Sequence, residues 1–304
     1  MSDALVGAAA LARLGLRRDR WLLTAWIVGF AAMAGSSAGA TAGLYPEAAS
    51  RVEAARTINA SAALVALYGR VYDERSLGAI SLVKLTAFGS ALVAVLMLFV
   101  VIRHTRADEE TGRLELLTGG RLGRLAPLAA ALVLAFGASL ALGLVTAAWL
   151  TGAGLPVAGS LAFGLGWATT GCAFATIGGV VAQLSASART ARGLGLVVIA
   201  VAYALRAVGD LAEPGPSWLS WLSPIGWTQQ VRAYEGDRWA VLLLPLALCA
   251  VAVPLAVVLR SRRDLGGRLP SGRLPAILPA DTRPGDEVHR PLAAPTLPAS
   301  GSQT

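Results

Sequence analysis

Apolar residues along this chain collect in six long runs that are separated by shorter polar stretches. The runs cover residues 21–44, 85–102, 125–150, 161–184, 193–208 and 239–259. A helix needs roughly 20 mostly apolar residues to cross the hydrocarbon core of a bilayer, and each run reaches or approaches that length. The pattern therefore predicts an all-α membrane protein with six transmembrane helices in residues 21–259.

The segments outside the runs are too short for a soluble catalytic domain. Residues 1–20 carry an apolar stripe at helical spacing, which predicts either a helix in the membrane interface or a simple extension of the first span. In the outer loop, residues 45–84, the stretch 51–68 contains no Gly or Pro and predicts a surface helix. Residues 260–304 are rich in Pro, Gly, Arg and Ser, a composition typical of a disordered tail.

Charge is distributed unequally between the two sides of this frame. The N-terminus, the loops after the second and fourth spans and the tail hold 18 Lys/Arg and 10 Asp/Glu, whereas the opposite loops hold 8 of each. Because basic residues are retained on the cytoplasmic side, both termini are expected there, in the inner (cell) membrane of a bacterium. The net charge of +8 thus reports topology, and no nucleic acid partner is expected.

Residue counts exclude several kinds of chemistry. Lys84 is the single lysine, and it follows Val83 instead of the glycine that a phosphate-binding loop requires, so no ATP site and no cofactor are expected in this chain. His104 and His289 are isolated, and both cysteines fall inside predicted spans, so no metal site is expected either. No nucleophile and base can be paired within the spans, and we predict a protein that is not an enzyme and has no catalytic residues.

Three features concern the spans themselves. Glycines and alanines crowd the fourth run, which predicts a helix buried in the bundle, since small residues let helices approach closely in lipid. Lys84 and Arg206 lie near membrane edges, where long cationic side chains usually extend toward the headgroups. Arg206 has the further option of an ion pair with Asp210, one helical turn later. The alternative for both residues is a functional site, since a charge inside the membrane often marks one.

The first informative segment is the loop 103–124, RHTRADEETGRLELLTGGRLGR. Its acidic run is flanked by arginines, Gly112 is suited to end or bend a helix, and leucines at 114, 116 and 117 form a short apolar patch. An apolar knob with charged flanks is the shape of a docking element for a cytoplasmic partner. An ordinary solvated loop that anchors two spans fits the residues equally well.

The second informative segment is residues 211–238, LAEPGPSWLSWLSPIGWTQQVRAYEGDR. Trp218, Trp221 and Trp227, with Pro224 as a helix breaker, predict short helices in or near the outer headgroup layer, where tryptophan is enriched. We interpret this re-entrant segment as an outer gate over an exit path or as a plain aromatic belt that holds the sixth span in place.

Taken in order, these features resemble an ABC-2 type permease of ATP-binding cassette exporters. The match is closer to the N-terminal half of the actinobacterial polyketide-antibiotic exporter permeases, of the tetronasin-resistance kind. The similar segments are RADEETGRLELL at 106–117, WLSPIGWTQQVR at 221–232 and SRRDLGGR at 261–268. A departure is Gly119-Gly120, where many such loops have a proline after the leucines.

The resemblance implies that residues 106–117 form the coupling helix that sits on a separate ATPase subunit, which binds ATP and Mg²⁺. It also implies a second permease half, which is another copy, a sister chain or the remainder of a fused permease of which this chain is a truncated product. The compound moved outward across the membrane is expected to be a hydrophobic antibiotic, drug or lipid-like molecule. The alternatives are a non-transporting scaffold or immunity protein and a secondary transporter. The candidate docking residues are Arg106, Glu109, Glu110, Gly112, Arg113, Glu115, Leu116 and Leu117.

Overall fold

The computed structural model describes residues 3–112, 122–212 and 217–266. These residues form helices joined by turns, and the described ranges contain no strand. Six of the helices are long and apolar enough to cross a membrane. The prediction of an all-α protein with six spans is confirmed, and the chain is a multi-pass membrane protein.

Eleven α-helices can be assigned in the described residues. They are α1 (Ala8–Leu44), α2 (Ala48–Ala60), α3 (Ala62–Tyr68), α4 (Leu77–Ile102), α5 (Asp108–Glu110), α6 (Ala126–Gly152), α7 (Val157–Leu184), α8 (Ala188–Asp210), α9 (Trp218–Trp221), α10 (Pro224–Gln230) and α11 (Leu243–Gly266). Short 3₁₀ turns, Asp3–Leu5 and Trp239–Leu242, precede α1 and α11, and a π-helical turn, Arg103–Ala107, joins α4 to α5.

The long helices alternate in direction, so the bundle has two ends. We call the end that holds the start of α1, the end of α4 and the start of α8 the terminal face. The opposite end, which holds α2, α3, α9 and α10, is called the loop face. Each face is held together by contacts between elements that are far apart in sequence. Examples are Arg18 with Asp108 at the terminal face and Arg206 with Ala66 at the loop face.

The first helix runs unbroken through the N-terminal segment and the first span. It has 37 residues, which corresponds to about 55 Å. The residues before it are held by backbone hydrogen bonds: the amides of Gly123 and Leu125 donate to the carbonyls of Val6 and Ala4, both at 3.0 Å. The start of the chain is therefore tied to the entrance of α6.

The outer segment 45–84 is more helical than the sequence indicated. The surface helix expected at 51–68 is divided into α2 and α3 at Ser61, whose hydroxyl accepts from the amide of Leu64 at 3.4 Å. The second long helix begins at Leu77 instead of residue 85, because Ser76 caps its first turn by accepting from the amide of Ala79 at 3.2 Å.

The core of the bundle forms around α7, which is the most enclosed of the six long helices, as its glycines predicted. A Cβ on Gly164 would lie 2.2 Å from the carbonyl oxygen of Gly143 in α6, so only glycine permits this approach. Trp167 is fully buried, packs edge-on against Phe30 of α1 and donates to the carbonyl of Leu85 in α4 at 3.3 Å. Three helices thus meet around one indole ring.

Candidate functional site

The segment that leaves α4 at the terminal face changes its helical geometry before the acidic run begins. Residues Arg103–Ala107 form a π-helical turn, and α5 follows at once. Gly112 then has a φ of +64°, a left-handed conformation that glycine adopts without strain, and it ends the helical segment as expected. Short π-helical insertions are frequent at functional sites, since they re-aim the side chains that follow.

Each of the three successive carboxylates after the π turn contacts a different long helix. Asp108 accepts from Arg18 of α1 at 2.9 Å, and Glu109 accepts from Arg260 of α11 at 2.6 Å. Glu110 accepts from the backbone amide of Ala188 at 2.6 Å, at the start of α8. We call Asp108, Glu109 and Glu110 the acidic clasp, because together they hold α1, α8 and α11 to the end of α4.

The contact with α8 uses a general property of helix ends. The first amides of a helix have no partner within it, and its N-terminus favours a negative charge. Ser187 satisfies one of these amides by accepting from Thr190 at 3.0 Å, and Glu110 satisfies another. Arg106 strengthens this junction, since it lies 3.2 Å from Glu109 and donates to the carbonyl of Ala186 just before α8.

A buried carboxylate in α1 contacts the π-helical turn that precedes the acidic clasp. Asp19 is 1% exposed, and its Oδ2 lies 2.6 Å from Nε2 of His104. Arg103 lies 3.0 Å from the other oxygen as an ion pair. His104 also approaches Asp108 at 3.8 Å, so the π turn is in contact with charged groups on both sides.

The structure describes half of the predicted docking residues. Arg106, Glu109, Glu110 and Gly112 lie in the arrangement above. The other four lie outside the described residues: Arg113, Glu115, Leu116 and Leu117. Their role in docking stays a prediction.

Sequence reasoning missed the partners of the clasp. Asp19 lies among three arginines just before the first apolar run, and an ionisable group at a membrane edge was the available signal. Arg18 and Arg260 looked like ordinary anchoring charges. Their partners lie 90 and 151 residues away in the sequence, and no local pattern indicates such pairs.

At the loop face the central group is Arg206 of α8. The expectation that its side chain extends toward the headgroups is wrong, since Arg206 is 0% exposed. Its guanidinium pairs with Asp210 at 3.4 Å, and it donates to the carbonyls of Ala66 and Leu67 at 2.5 and 3.1 Å. These carbonyls end α3 and lack partners within that helix, which is why the arginine is retained inside the protein. Lys84, by contrast, is exposed.

The short helices of the re-entrant segment are fastened to α8 by serine hydroxyls. Ser220 donates to the carboxylate of Asp210 at 2.5 Å, and Ser223 donates to the carbonyl of Ala202 at 2.7 Å. Gln229 in α10 accepts from Arg206 at 3.4 Å and donates to the carbonyl of Tyr68 at 3.1 Å. We call Arg206, Asp210, Ser220 and Gln229 the buried knot.

Two of the four predicted gate residues, Trp218 and Trp221, lie at the surface of this arrangement, and Pro224 and Trp227 are half-buried. Trp218 is 70% exposed, and Trp221 is also exposed. Trp227 donates from its indole nitrogen to the carbonyl of Trp221 at 2.6 Å, and Pro224 is the first residue of α10. Exposed indoles at this level agree with either expected role, the gate or the aromatic belt.

The turn after α10 has an unusual backbone. Arg232, Tyr234 and Asp237 all have φ between 43° and 65°, a region that non-glycine residues rarely occupy. The turn places the Tyr234 ring against Gly78 and Gly159, where a Cβ on either glycine would collide with it. The Tyr234 hydroxyl lies 2.9 Å from that of Ser160, and burial raises the pKa of Tyr234 to about 12.

Glu235 in the same turn holds the outer loop. Its carboxylate accepts from the amides of Tyr72 and Asp73 at 2.8 and 3.3 Å. Burial raises the pKa of Glu235 to about 7, although the two amides and the Arg232 guanidinium favour the charged form. Charged groups at both faces therefore hold segments of the chain together. In the described ranges, no group of three or more His, Cys, Asp or Glu side chains is placed to hold a metal ion.

Comparison with known proteins finds a family that matches most of this chain. The family described as "Multidrug efflux system permease Rv1217c, C-terminal domain" matches residues 9–259, which include the acidic clasp and the buried knot. The Multidrug efflux system permease protein Rv1217c of Mycobacterium tuberculosis (strain ATCC 25618 / H37Rv) is 46% identical over 268 residues. The match covers 88% of this chain and 48% of that protein, so the chain spans about half the length of its curated relative.

One element of the sequence resemblance is corrected by this comparison. The motifs suggested the N-terminal half of a fused permease, whereas the matching family describes a C-terminal domain. The resemblance to tetronasin-type permeases gains no support from these matches. The chain belongs to the family of the Multidrug efflux system permease Rv1217c, C-terminal domain.

Proposed function

We propose that this chain is the membrane-spanning permease subunit of an ATP-binding cassette exporter, of the ABC-2 type. It moves a hydrophobic antibiotic, drug or lipid-like compound outward, and a separate cytoplasmic ATPase subunit binds and hydrolyses ATP with Mg²⁺. Its relative's name, a multidrug efflux system permease, supports efflux as the activity and a multi-component system as the setting. The terminal face is cytoplasmic, in keeping with its excess of arginine.

The observation that carries the proposal is the acidic clasp. A force applied to the segment after α4 reaches α1 through Arg18, α11 through Arg260 and α8 through the amide of Ala188. One short segment thus has direct contact with three long helices besides α4. Ion pairs and hydrogen bonds transmit such displacement because they have discrete arrangements that a partner can bias.

The clasp also refines the docking hypothesis. The carboxylates of Asp108 and Glu109 are mostly covered, with exposed side-chain fractions of 14% and 18%, and both face this chain's own arginines. They are better suited to transmit motion than to recognise the ATPase. We therefore assign recognition to Arg113, Glu115, Leu116 and Leu117, and transmission to the clasp.

A second permease half completes the transporter. The chain spans about half of its curated relative, and the second half is another copy, a sister sequence or a further part of a fused permease. In the lipid bilayer, α1, α8 and α11 are the least enclosed of the long helices and offer apolar surface to such a partner and to lipid.

Co-purification tests the recognition step. The variant Leu116→Ala/Leu117→Ala is expected to lose the ATPase during affinity purification while its insertion and thermal stability are unchanged. Leu222→Ala, an exposed leucine at the loop face, is the matched control and retains the ATPase. Equal recovery of the ATPase with both variants would contradict the docking assignment.

Transport by the reconstituted complex tests the transmission step. Arg260→Gln removes the contact with Glu109 and is expected to keep the ATPase bound but to lower the amount of compound exported per ATP hydrolysed, about tenfold if ~1.4 kcal/mol of coupling is lost. Transport by this chain alone, without any ATPase, would favour the secondary transporter. Binding of the ATPase without transport of any compound would favour the scaffold.

A further inference from the structure

A groove runs along the lipid-facing side of the bundle between α1 and α6. It encloses about 450 Å³, and its walls are almost entirely apolar. Leu23 and Ile27 form the α1 side, and Gly137 and Ala141 form the α6 side. The small residues of α6 leave the space open, since a Cβ on Gly137 would meet no atom within 4 Å.

The end of the groove at the terminal face is cationic. Arg13 and Arg20 line it and lie two helical turns apart on one side of α1, about 10 Å along the helix axis. Both side chains are exposed, and neither forms an ion pair with a residue that the structure describes. Arg18, on another side of the same helix, is paired with Asp108.

The depth of this cationic end is marked by an indole. Trp21 is 75% exposed, and the Arg20 guanidinium lies 5.3 Å from its ring centroid. Exposed tryptophan sits at the level of the lipid headgroups, so Arg20 is at phosphate depth. Leu23 and Ile27 are one and two turns deeper, at the level of the acyl chains.

We propose that this groove binds an anionic phospholipid of the leaflet next to the terminal face. One acyl chain fills the apolar part between α1 and α6, and the headgroup phosphate accepts hydrogen bonds from Arg13 and Arg20. The polarity of the groove matches that of a phospholipid, which is charged at one end and apolar along the rest. Guanidinium groups are suited to phosphate because they donate two parallel hydrogen bonds.

A second copy of the chain fits the groove less well. Its carboxylates would have to reach Arg13 and Arg20, but Asp19, Asp108 and Glu110 at that end each contact partners within their own chain. The lipid site is independent of the proposed exporter activity, since it requires only that the bundle is embedded in a membrane. It adjoins the helix that carries Asp19, so a bound lipid would hold α1 against α6 beside the clasp.

Native mass spectrometry of the full chain in detergent tests the site. Titration with phosphatidylglycerol is expected to give a saturable one-lipid adduct, and phosphatidylcholine with the same acyl chains is expected to bind more weakly. Arg20→Gln should weaken phosphatidylglycerol binding about fivefold, from ~1 kcal/mol per arginine at the membrane surface, and Arg13→Gln/Arg20→Gln about thirtyfold. Arg17→Gln removes the same charge from α1 outside the groove and should leave binding unchanged.

A groove-filling variant separates the site from general surface charge. Gly137→Leu is accommodated by the open space and is expected to abolish the adduct although both arginines remain. Gly152→Leu, in the same helix and with equally free space, is the control that should bind normally. Equal binding of the two lipids, or equal loss with Arg17→Gln and Arg20→Gln, would overturn the proposal. If Gly137→Leu changes the fraction of dimers and leaves the lipid adduct unchanged, the groove is an interface with a second copy instead of a lipid site.

Discussion

The acidic clasp at the terminal face joins α1, α8 and α11 through partly exposed carboxylates, whereas the buried knot at the loop face joins α3, α8 and α10 through a fully buried arginine. In the acidic clasp most partners are charged side chains of opposite sign, and the Glu110 side chain is 38% exposed. In the buried knot Arg206 donates to two backbone carbonyls that end α3 and to the side chains of Asp210 and Gln229. The same helix, α8, is held at one end by contacts that water reaches and at the other by contacts that water does not.

This difference has an energetic consequence. Partly exposed ion pairs are each worth little and are weakened by salt, so they exchange partners at low cost. A buried charge that loses its partner is strongly destabilising, because nothing replaces the lost interaction. The acidic clasp is therefore suited to rearrangement and the buried knot to a fixed geometry, which is consistent with a force that enters at the terminal face.

Breaking the buried knot should have the largest effect. Asp210→Ala leaves Arg206 buried without its carboxylate and removes the acceptor of Ser220, so we expect the free energy of unfolding to fall by about 3–5 kcal/mol. Denaturant or thermal unfolding in detergent measures the change. The double variant Arg206→Met/Asp210→Ala removes the uncompensated charge and should recover part of the loss. A single variant as stable as the parent would show that the pair does not stabilise the fold.

The pH dependence of Glu235 should be smaller and specific to the loop face. Its pKa of about 7 in the folded protein lies above the ordinary value of 4.5, so the folded state retains its proton at pH values where the unfolded chain has lost it. This contribution to stability is fully present below about pH 4.5 and is lost as the pH rises through about 7, with a maximum of about 3 kcal/mol.

Thermal unfolding at several pH values measures that contribution. Glu235→Gln cannot ionise, so its melting temperature should change less between about pH 5 and about pH 8 than that of the parent protein. Arg232 and Asp73, the charged groups that face Glu235, remain in both proteins. If the two pH profiles have the same slope, the carboxyl of Glu235 does not titrate in this range.

The smallest effect is expected at the acidic clasp. Arg18→Gln removes the ion pair with Asp108, whose side chains are partly exposed, and should lower stability by at most about 1 kcal/mol. The difference between variant and parent should shrink at high salt (~1 M), where the Debye length is about 3 Å. Unfolding at low and high salt measures it. A loss as large as that of Asp210→Ala would remove the distinction between the two faces.

The sequence predicted the number, type and approximate bounds of the long helices, because each apolar run reaches or approaches the length that a transmembrane helix needs. It also predicted that α7 is enclosed, because small residues are typical of closely packed membrane helices. It predicted that Gly112 ends a helix, because glycine is the residue that adopts positive φ without strain. It did not predict that Arg206 is buried. That outcome depends on α3 directing its last carbonyls toward α8, a tertiary arrangement that no local pattern records.

The candidate site was predicted in part. The acidic run and the tryptophans drew attention because charge and indole are rare in an apolar chain. The partners that give the acidic run its structure, Arg18, Arg260 and the start of α8, are remote in sequence and look like common features of membrane proteins. The assignment of Arg113, Glu115, Leu116 and Leu117 to recognition, and of Trp218, Trp221, Pro224 and Trp227 to a gate, stays a prediction.

The hydrogen bonds between residues 4–6 and the residues just before α6 can form only late in the synthesis of the chain. Ala4 and Val6 receive the amides of Leu125 and Gly123, which the ribosome adds more than a hundred residues later. The carbonyls of Ala4 and Val6 therefore lack these two donors until the chain has been synthesised beyond the first two spans. A chain interrupted before residue 123 lacks both donors, so its residues 4–6 cannot form this junction.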